Sequence, residues 1–159
     1  MHDSEYSILE EMLYNAIFIP PGTAKLPFGI IRNPEIYVYI KNFGKAGDYC
    51  LVADINDRII GAIWTREFYD AEKGFGFVNT ETPELSMSVL ERYRNKGVGT
   101  KLLLSMIRLL TELDYKQVSL SVDRMNYAYD FYRKLGFEDY KCVEGSVTML
   151  RKLNGKTSS

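Results

Sequence analysis

Residues 83–113 read PELSMSVLERYRNKGVGTKLLLSMIRLLTEL. Leu85, Met87 and Val89 alternate with Ser86 and Ser88, the period of a strand with two unlike faces. Beyond residue 100, Leu103, Met106, Ile107, Leu110 and Leu113 recur at helical spacing. Leu102, Leu104 and Leu109 widen that stripe, which predicts a helix covered on more than one side. The stretch therefore reads as strand, tight basic glycine turn, helix.

The turn is Arg94-Asn95-Lys96-Gly97-Val98-Gly99-Thr100. The first amides of a helix have no intrahelical partner, and the helix dipole adds partial positive charge there, so a phosphate satisfies both. Gly97 and Gly99 carry no Cβ, which lets the backbone turn sharply and approach an anion closely. Arg94, Lys96 and Lys101 add full charge, and no Asp or Glu occurs between residues 97 and 105. The spacing is neither a P-loop nor a dinucleotide-binding fingerprint. Read alone, the same turn also suits a basic, solubilising connection.

A chain of 159 residues predicts one domain, and 46% hydrophobic content is ample for a full core. A net charge of −1 gives no electrostatic reason for a nucleic-acid or anionic-membrane partner. No apolar run approaches a membrane span, and the opening MHDSEYS lacks the basic and apolar regions of a signal peptide. Cys50 and Cys142, both in strand-like runs, do not make a disulfide framework, which points to the cytoplasm. The lone histidine, His2, removes Cys–His and Ser–His–Asp nucleophiles and histidine-rich metal sites from consideration. Chemistry falls to Glu, Asp, Tyr, Lys or backbone groups, with no metal expected.

Along the chain, residues 7–18 form a helix candidate ended by Pro20-Pro21-Gly22. Residues 26–33 read as a loop, and Pro34 opens a second helix expected to run to about Phe43, with Gly44 ending it. Residues 48–54 and 58–69 are strands about an Asn56-Asp57 hairpin turn. Residues 70–83 are a loop rich in Gly, Asn and Thr. After the central unit come a strand over 115–122, a short helix over 126–135 stopped by Gly136, and a hairpin of 137–143 and 146–153 about Glu144-Gly145. Residues 1–153 form the domain and 154–159 a polar tail expected to be disordered. The order predicts an α/β (α+β) fold with a mixed sheet of about six to seven strands and helices on both faces.

The segment NYAYDFYRKLGF, residues 126–137, is the second signal. Ala128, Phe131, Tyr132 and Leu135 share a helix face, so by itself Tyr132 reads as a core aromatic with its hydroxyl at the rim. The two motifs together resemble the GNAT superfamily of N-acetyltransferases, which move an acetyl group from acetyl-CoA to an amine. Arg94 to Gly99 match that family's [Q/R]-x-x-G-x-[G/A] loop, and Asn126, Ala128, Phe131, Tyr132, Leu135, Gly136 and Phe137 match its N-x-A-x-x-[FL]-Y-x-x-x-G-F pattern. The resemblance covers residues 48–153 in order and the leading helices more loosely.

The resemblance implies that Arg94, Asn95, Lys96, Gly97, Val98, Gly99 and Thr100 hold the CoA pyrophosphate. It implies that Met87, Ser88 and Val89 pair their backbone with the pantetheine arm, that Asn126 bonds the pantetheine or nearby backbone, and that Tyr132 is general acid near the sulfur. Such families open with a strand for which the six residues ahead of the first helix leave little room, and Glu91 stands where many members have proline.

An alkyl amine with a pKa of about 10.4 must lose a proton before it attacks a thioester, and a carboxylate can take it. Glu67, Asp70, Glu72, Glu81 and Glu84 lie on the segment expected to flank the acceptor cleft, either as an acidic rim or as a solvated loop. Glu84 opens the central strand and is the base candidate, with Glu81 or solvent as the other choice. The backbone N–H of Val89 is the family-like oxyanion donor. Tyr37, Tyr39, Trp64, Phe68 and Tyr69 line the acceptor cleft or belong to the core. The resulting expectation is an acetyl-CoA-dependent N-acetyltransferase, monomer or homodimer, acting on a primary amine of a small molecule or peptide by direct attack in a ternary complex. A CoA-binding regulatory module without turnover and an acidic-peptide-binding interaction domain are the other readings.

Overall fold

A computed structural model describes residues 8–17, 19, 22–69 and 71–153. The readings placed on His2, on a strand ahead of the first helix, on Asp70 and on the 154–159 tail lie outside the described residues. The elements run α1 (Ile8–Ala16), a 3₁₀ turn (Phe28–Arg32), α2 (Pro34–Tyr37), β1 (Tyr49–Ile55), β2 (Arg58–Arg66), β3 (Glu84–Val89), a short 3₁₀ turn (Glu91–Tyr93), α3 (Val98–Glu112), β4 (Gln117–Asp123), α4 (Ala128–Lys134), β5 (Glu138–Val143) and β6 (Ser146–Lys152). Six strands form one mixed sheet in the order β1-β2-β3-β4-β6-β5.

Local chemistry accounts for the hairpins. Asn56 and Asp57 both take positive φ (51° and 66°), as do Glu144 and Gly145 (51° and 86°), the geometry that matches the twist of the strands they join. Alternation along each strand then sorts side chains between two layers. Ile63 and Leu85 enter one core with Leu103, Met106 and Leu110 of α3 and with Tyr132 and Phe137. Ala62 and Trp64 enter the other, with Leu9, Met12 and Leu13 of α1 and with Ile31, Val38 and Ile40. Helices thus cover both faces, as the alternation of elements predicts.

Several sequence expectations change. The helix opened by Pro34 stops at Tyr37 instead of reaching Phe43. The carbonyls that follow it are taken by side chains of β2: Arg66 Nη1 donates to Val38 O (2.9 Å) and Lys41 O (2.8 Å), and Trp64 Nε1 donates to Tyr39 O (3.2 Å). The Arg66 guanidinium is itself buried and doubly bonded to Asp48 (2.9 and 3.1 Å). Second, α3 is covered on one side only, since Leu104 is 49% exposed. Third, residues 28–32 are a 3₁₀ turn rather than loop, and β2 ends at Arg66 rather than Tyr69. No helix among the described residues is long and apolar enough to cross a membrane.

Candidate active site

The site is made by a parting of strands. β3 and β4 run parallel but are matched at one position among the described residues, Glu84 opposite Ser119. Ser119 N–H donates to Pro83 O (3.0 Å) there, and beyond it the ladder opens. On its other edge β3 stays fully paired with β2, Ser88 opposite Ala62 and Ser86 opposite Trp64. Leu90 N–H donates to Ile60 O (2.8 Å), which sets the alternation of that antiparallel ladder. Ser86 and Ser88 spend their amides on β2, and Met87 and Val89 turn theirs into the gap.

Two adjoining cavities fill that gap, about 650 Å³ and about 280 Å³. Ala16, Ile17, Met87, Asn126, Ala128 and Tyr132 border both. The larger reaches the basic turn, where Arg94, Asn95, Gly97, Gly99 and Thr100 line it beside Ser88 and Val89. Lys96 and Val98 belong to the turn without lining the cavity.

The turn has the geometry of an anion cradle. Asn95 (φ 61°) and Gly97 (φ 86°) are left-handed, so the chain enters α3 with its amides outward. Gly97 gives no side-chain cap, and the first turn of α3 holds no acid. The first helical bond is Lys101 N–H to Gly97 O (3.1 Å), which leaves the amides of Val98, Gly99 and Thr100 without helical acceptors. A Cβ on Gly99 would meet Met87 Cε at 3.5 Å and Phe131 Cζ at 3.7 Å, so this glycine lies on the cavity side of the helix. Arg94 Nε donates to Val89 O (2.9 Å), fixing one cation at the strand end. These groups fit a pyrophosphate.

The smaller cavity ends on Glu84, which is 2% exposed. Tyr39 Oη donates to its Oε2 (2.5 Å), as does Gly76 N–H (3.0 Å), while Oε1 is buried without a hydrogen-bond partner. Burial pushes the carboxyl up to about 7, against the smaller opposing effect of those two donors. Tyr132 is buried, with its ring edge-on to Phe131 and Phe137. Burial first, and Tyr127 second, raise its hydroxyl above the usual phenol range and keep it protonated. Asn126 Oδ1 accepts from Ala128 N–H (2.9 Å), so its carbonyl anchors the start of α4 and its amide group is left to the cleft.

Among the described residues the acidic rim does not assemble. Glu67 accepts a bond from the Tyr115 hydroxyl, Glu72 pairs with Lys41 (3.1 Å), and Glu81 is exposed. Among the described residues, the acids lining the cavities are Glu84, Asp123 and Glu91. Of the aromatics, Tyr39 lines the cleft, Trp64 and Phe68 are core, and Tyr69 is 63% exposed. Sequence reasoning missed the Tyr39–Glu84 contact and the loop that seals it. The spacing Gly74-Phe75-Gly76 was the available signal, since paired glycines mark close backbone approach.

Known proteins share this fold. The model of the acetyltransferase (GNAT) family matches residues 18–137. An N-alpha-acetyltransferase of Saccharolobus solfataricus is 30% identical over 123 residues, 72% of this chain and 71% of that protein. One from Sulfurisphaera tokodaii is 30% identical over 121 residues, 70% of each. The fold is shared with the PaiA N-acetyltransferase of Thermoplasma acidophilum, solved in complex with coenzyme A. That structure is 18% identical, with TM-score 0.67, covering 96% of this chain and 95% of that one. A cradle of free amides at α3, a split between β3 and β4 and a match over most of the chain converge: the protein belongs to the GNAT family and is an acetyl-CoA-dependent acyltransferase.

Proposed function

We propose that the protein acetylates the free α-amine at the N-terminus of a peptide or protein, by direct attack within a ternary complex. The observation that carries this is the pair of adjoining cavities that runs from the α3 amides, past Tyr132, to Glu84, whose Oε1 has no partner. Acetyl-CoA supplies an activated acetyl thioester. Arg94 and the amides of residues 97–100 bind its pyrophosphate, with Asn95, Lys96 and Asn126 beside it, and the Met87 and Val89 backbone holds the arm that follows. Ser88 lines the same cavity, but its amide is spent on β2.

The proton steps fall to Glu84 and Tyr132, both buried and both lining the cleft. Glu84 Oε1 takes the proton that the amine loses as its nitrogen bonds the acetyl carbon. The Val89 N–H faces the charge that develops on the carbonyl oxygen. As the carbon–sulfur bond breaks, the Tyr132 hydroxyl gives its proton to the thiolate.

Two features favour an α-amine. Its pKa is about 7.7–8.0 against about 10.4 for lysine, close to that of a base held near 7, so transfer is nearly level. Among the described residues, no Lys or Arg lines the cavity at Glu84. A free amino acid would bury its carboxylate there without a partner, whereas a peptide carbonyl carries no such charge. The naming of the two archaeal relatives as N-alpha-acetyltransferases agrees.

The test offers acetyl-CoA with matched peptides bearing a free N-terminus, a blocked N-terminus with a free lysine, and free amino acids, read by mass spectrometry. Acetylation of the first set alone is expected. Turnover of free amino acids at a comparable rate would overturn the acceptor assignment, and ping-pong kinetics would overturn direct attack.

A further inference from the structure

We propose that Tyr39 is the positioning residue of the base: its hydroxyl, with the Gly76 amide, holds the Glu84 carboxylate by Oε2 and leaves Oε1 as the oxygen without a protein partner. The inference rests on the reading of Glu84 as base.

The two carboxylate oxygens are treated differently. Oε2 receives the Tyr39 hydroxyl (2.5 Å) and the Gly76 amide (3.0 Å). The Tyr39 oxygen is itself the acceptor for Phe75 N–H (2.7 Å), so its own proton is committed to Glu84. Oε1 is buried without a partner, although an unpaired buried carboxylate oxygen is costly. An oxygen kept bare at that cost, on a residue that lines a cleft, is the one left to take up a proton.

The surroundings enforce this asymmetry. A Cβ on Gly74 would stand 2.4 Å from Oε1 and 2.6 Å from the Tyr39 hydroxyl, and one on Gly76 would stand 2.7 Å from the Leu120 backbone. Only glycine lets the loop come this close. Ser119 Oγ donates to Gly76 O (2.8 Å) and ties the loop to β4. Tyr39 is held from behind by the Trp64 and Arg66 bonds to the carbonyls of residues 38, 39 and 41.

The charged and titratable groups around Glu84 are few. Arg66, its cross-strand neighbour on β2, turns its guanidinium to Asp48. The loop contributes the Gly76 amide and Phe75, and α1 contributes the apolar Leu13, Ala16 and Ile17. Asp123 and Tyr132 line the far part of the cavity. Tyr39 is therefore the one side-chain donor to the carboxylate among the described residues. Burial, then the charge of Glu84, hold its own pKa well above the usual phenol value, so it stays a donor across the working range.

The experiment follows the Glu84 carboxyl by ¹³C NMR titration in wild type and Tyr39→Phe, with the pH dependence of kcat/KM for the same proteins. The hydroxyl favours the charged form, so its loss should raise the Glu84 midpoint by roughly one pH unit or more. The rising limb of the rate profile should move up equally. Turnover then falls about tenfold at pH 6 and largely recovers by pH 9. A merely structural role would lower the rate by one factor at every pH and move neither midpoint.

An unmoved Glu84 titration would overturn the proposal. A moved titration with an unmoved rate limb would instead overturn Glu84 as base. Should Tyr39→Phe fold poorly, 3-fluorotyrosine placed at position 39 keeps the shape and strengthens the donor. It should shift both midpoints downward, and no shift would again overturn the proposal.

Discussion

Glu84 and Ser119 face each other at the one matched position of β3 and β4 among the described residues, and from there the strands diverge. That pair is the apex of the cleft. It leaves the Met87 amide bonded to neither neighbour, while the Ser88 amide is committed to β2. Proline removes an amide without adding bulk to the opposite edge. Met87→Pro should therefore keep the β2–β3 ladder yet weaken CoA binding about five- to tenfold, the worth of one hydrogen bond. Ser88→Pro should instead lower thermal stability. Calorimetry and melting curves on the two variants check the contrast, and equal melting losses would refute the orientation of the strand.

The basic turn makes a second contrast. A Val side chain at Gly99 grows toward Met87 and Phe131, on the cavity side of α3, so Gly99→Val should weaken CoA binding at least tenfold and leave the fold intact. Pantetheine lacks the pyrophosphate and should bind wild type far more weakly than CoA does. Equal affinity for the two ligands in calorimetry would remove the pyrophosphate assignment.

Tyr132→Phe keeps the ring between Phe131 and Phe137 and deletes only the hydroxyl. Turnover should fall roughly 10²-fold or more, within the usual range for general acid catalysis, with CoA affinity unchanged. Steady-state kinetics and a binding isotherm decide it. Full turnover in the variant would return Tyr132 to a packing role.

Glu84 makes stability depend on pH. Its folded pKa, near 7, lies above the ordinary 4.5. Folding stability from this group is therefore complete below about pH 4.5 and is lost as pH rises through 7, where the folded chain must hold a buried charge. A shift of this size corresponds to roughly 3 kcal/mol as an upper bound. Glu84→Gln removes the titration, so its melting temperature should gain on wild type between pH 5 and pH 8. Parallel melting curves across that range would show that Glu84 titrates normally.

What the sequence determined was local. The alternation of Leu85, Met87 and Val89 with Ser86 and Ser88, the stripe from Leu102 to Leu110, and the turns at Asn56-Asp57 and Glu144-Gly145 all depend on backbone preference and near neighbours. The same holds for the cradle at Gly97, whose amides are free because helices begin that way.

What only the tertiary structure decided was non-local. The end of α2 at Tyr37 follows from Arg66 and Trp64 taking carbonyls that a longer helix would have used. Leu104 is exposed because α3 meets the sheet on one side alone. Glu84 could be placed on a strand face by periodicity, but its burial, its raised pKa and its bond to Tyr39, 45 residues earlier in the chain, come from elements that meet only once the sheet is closed. A carboxylate's chemistry is set by the groups around it in space, and residue spacing along β3 carries no record of them.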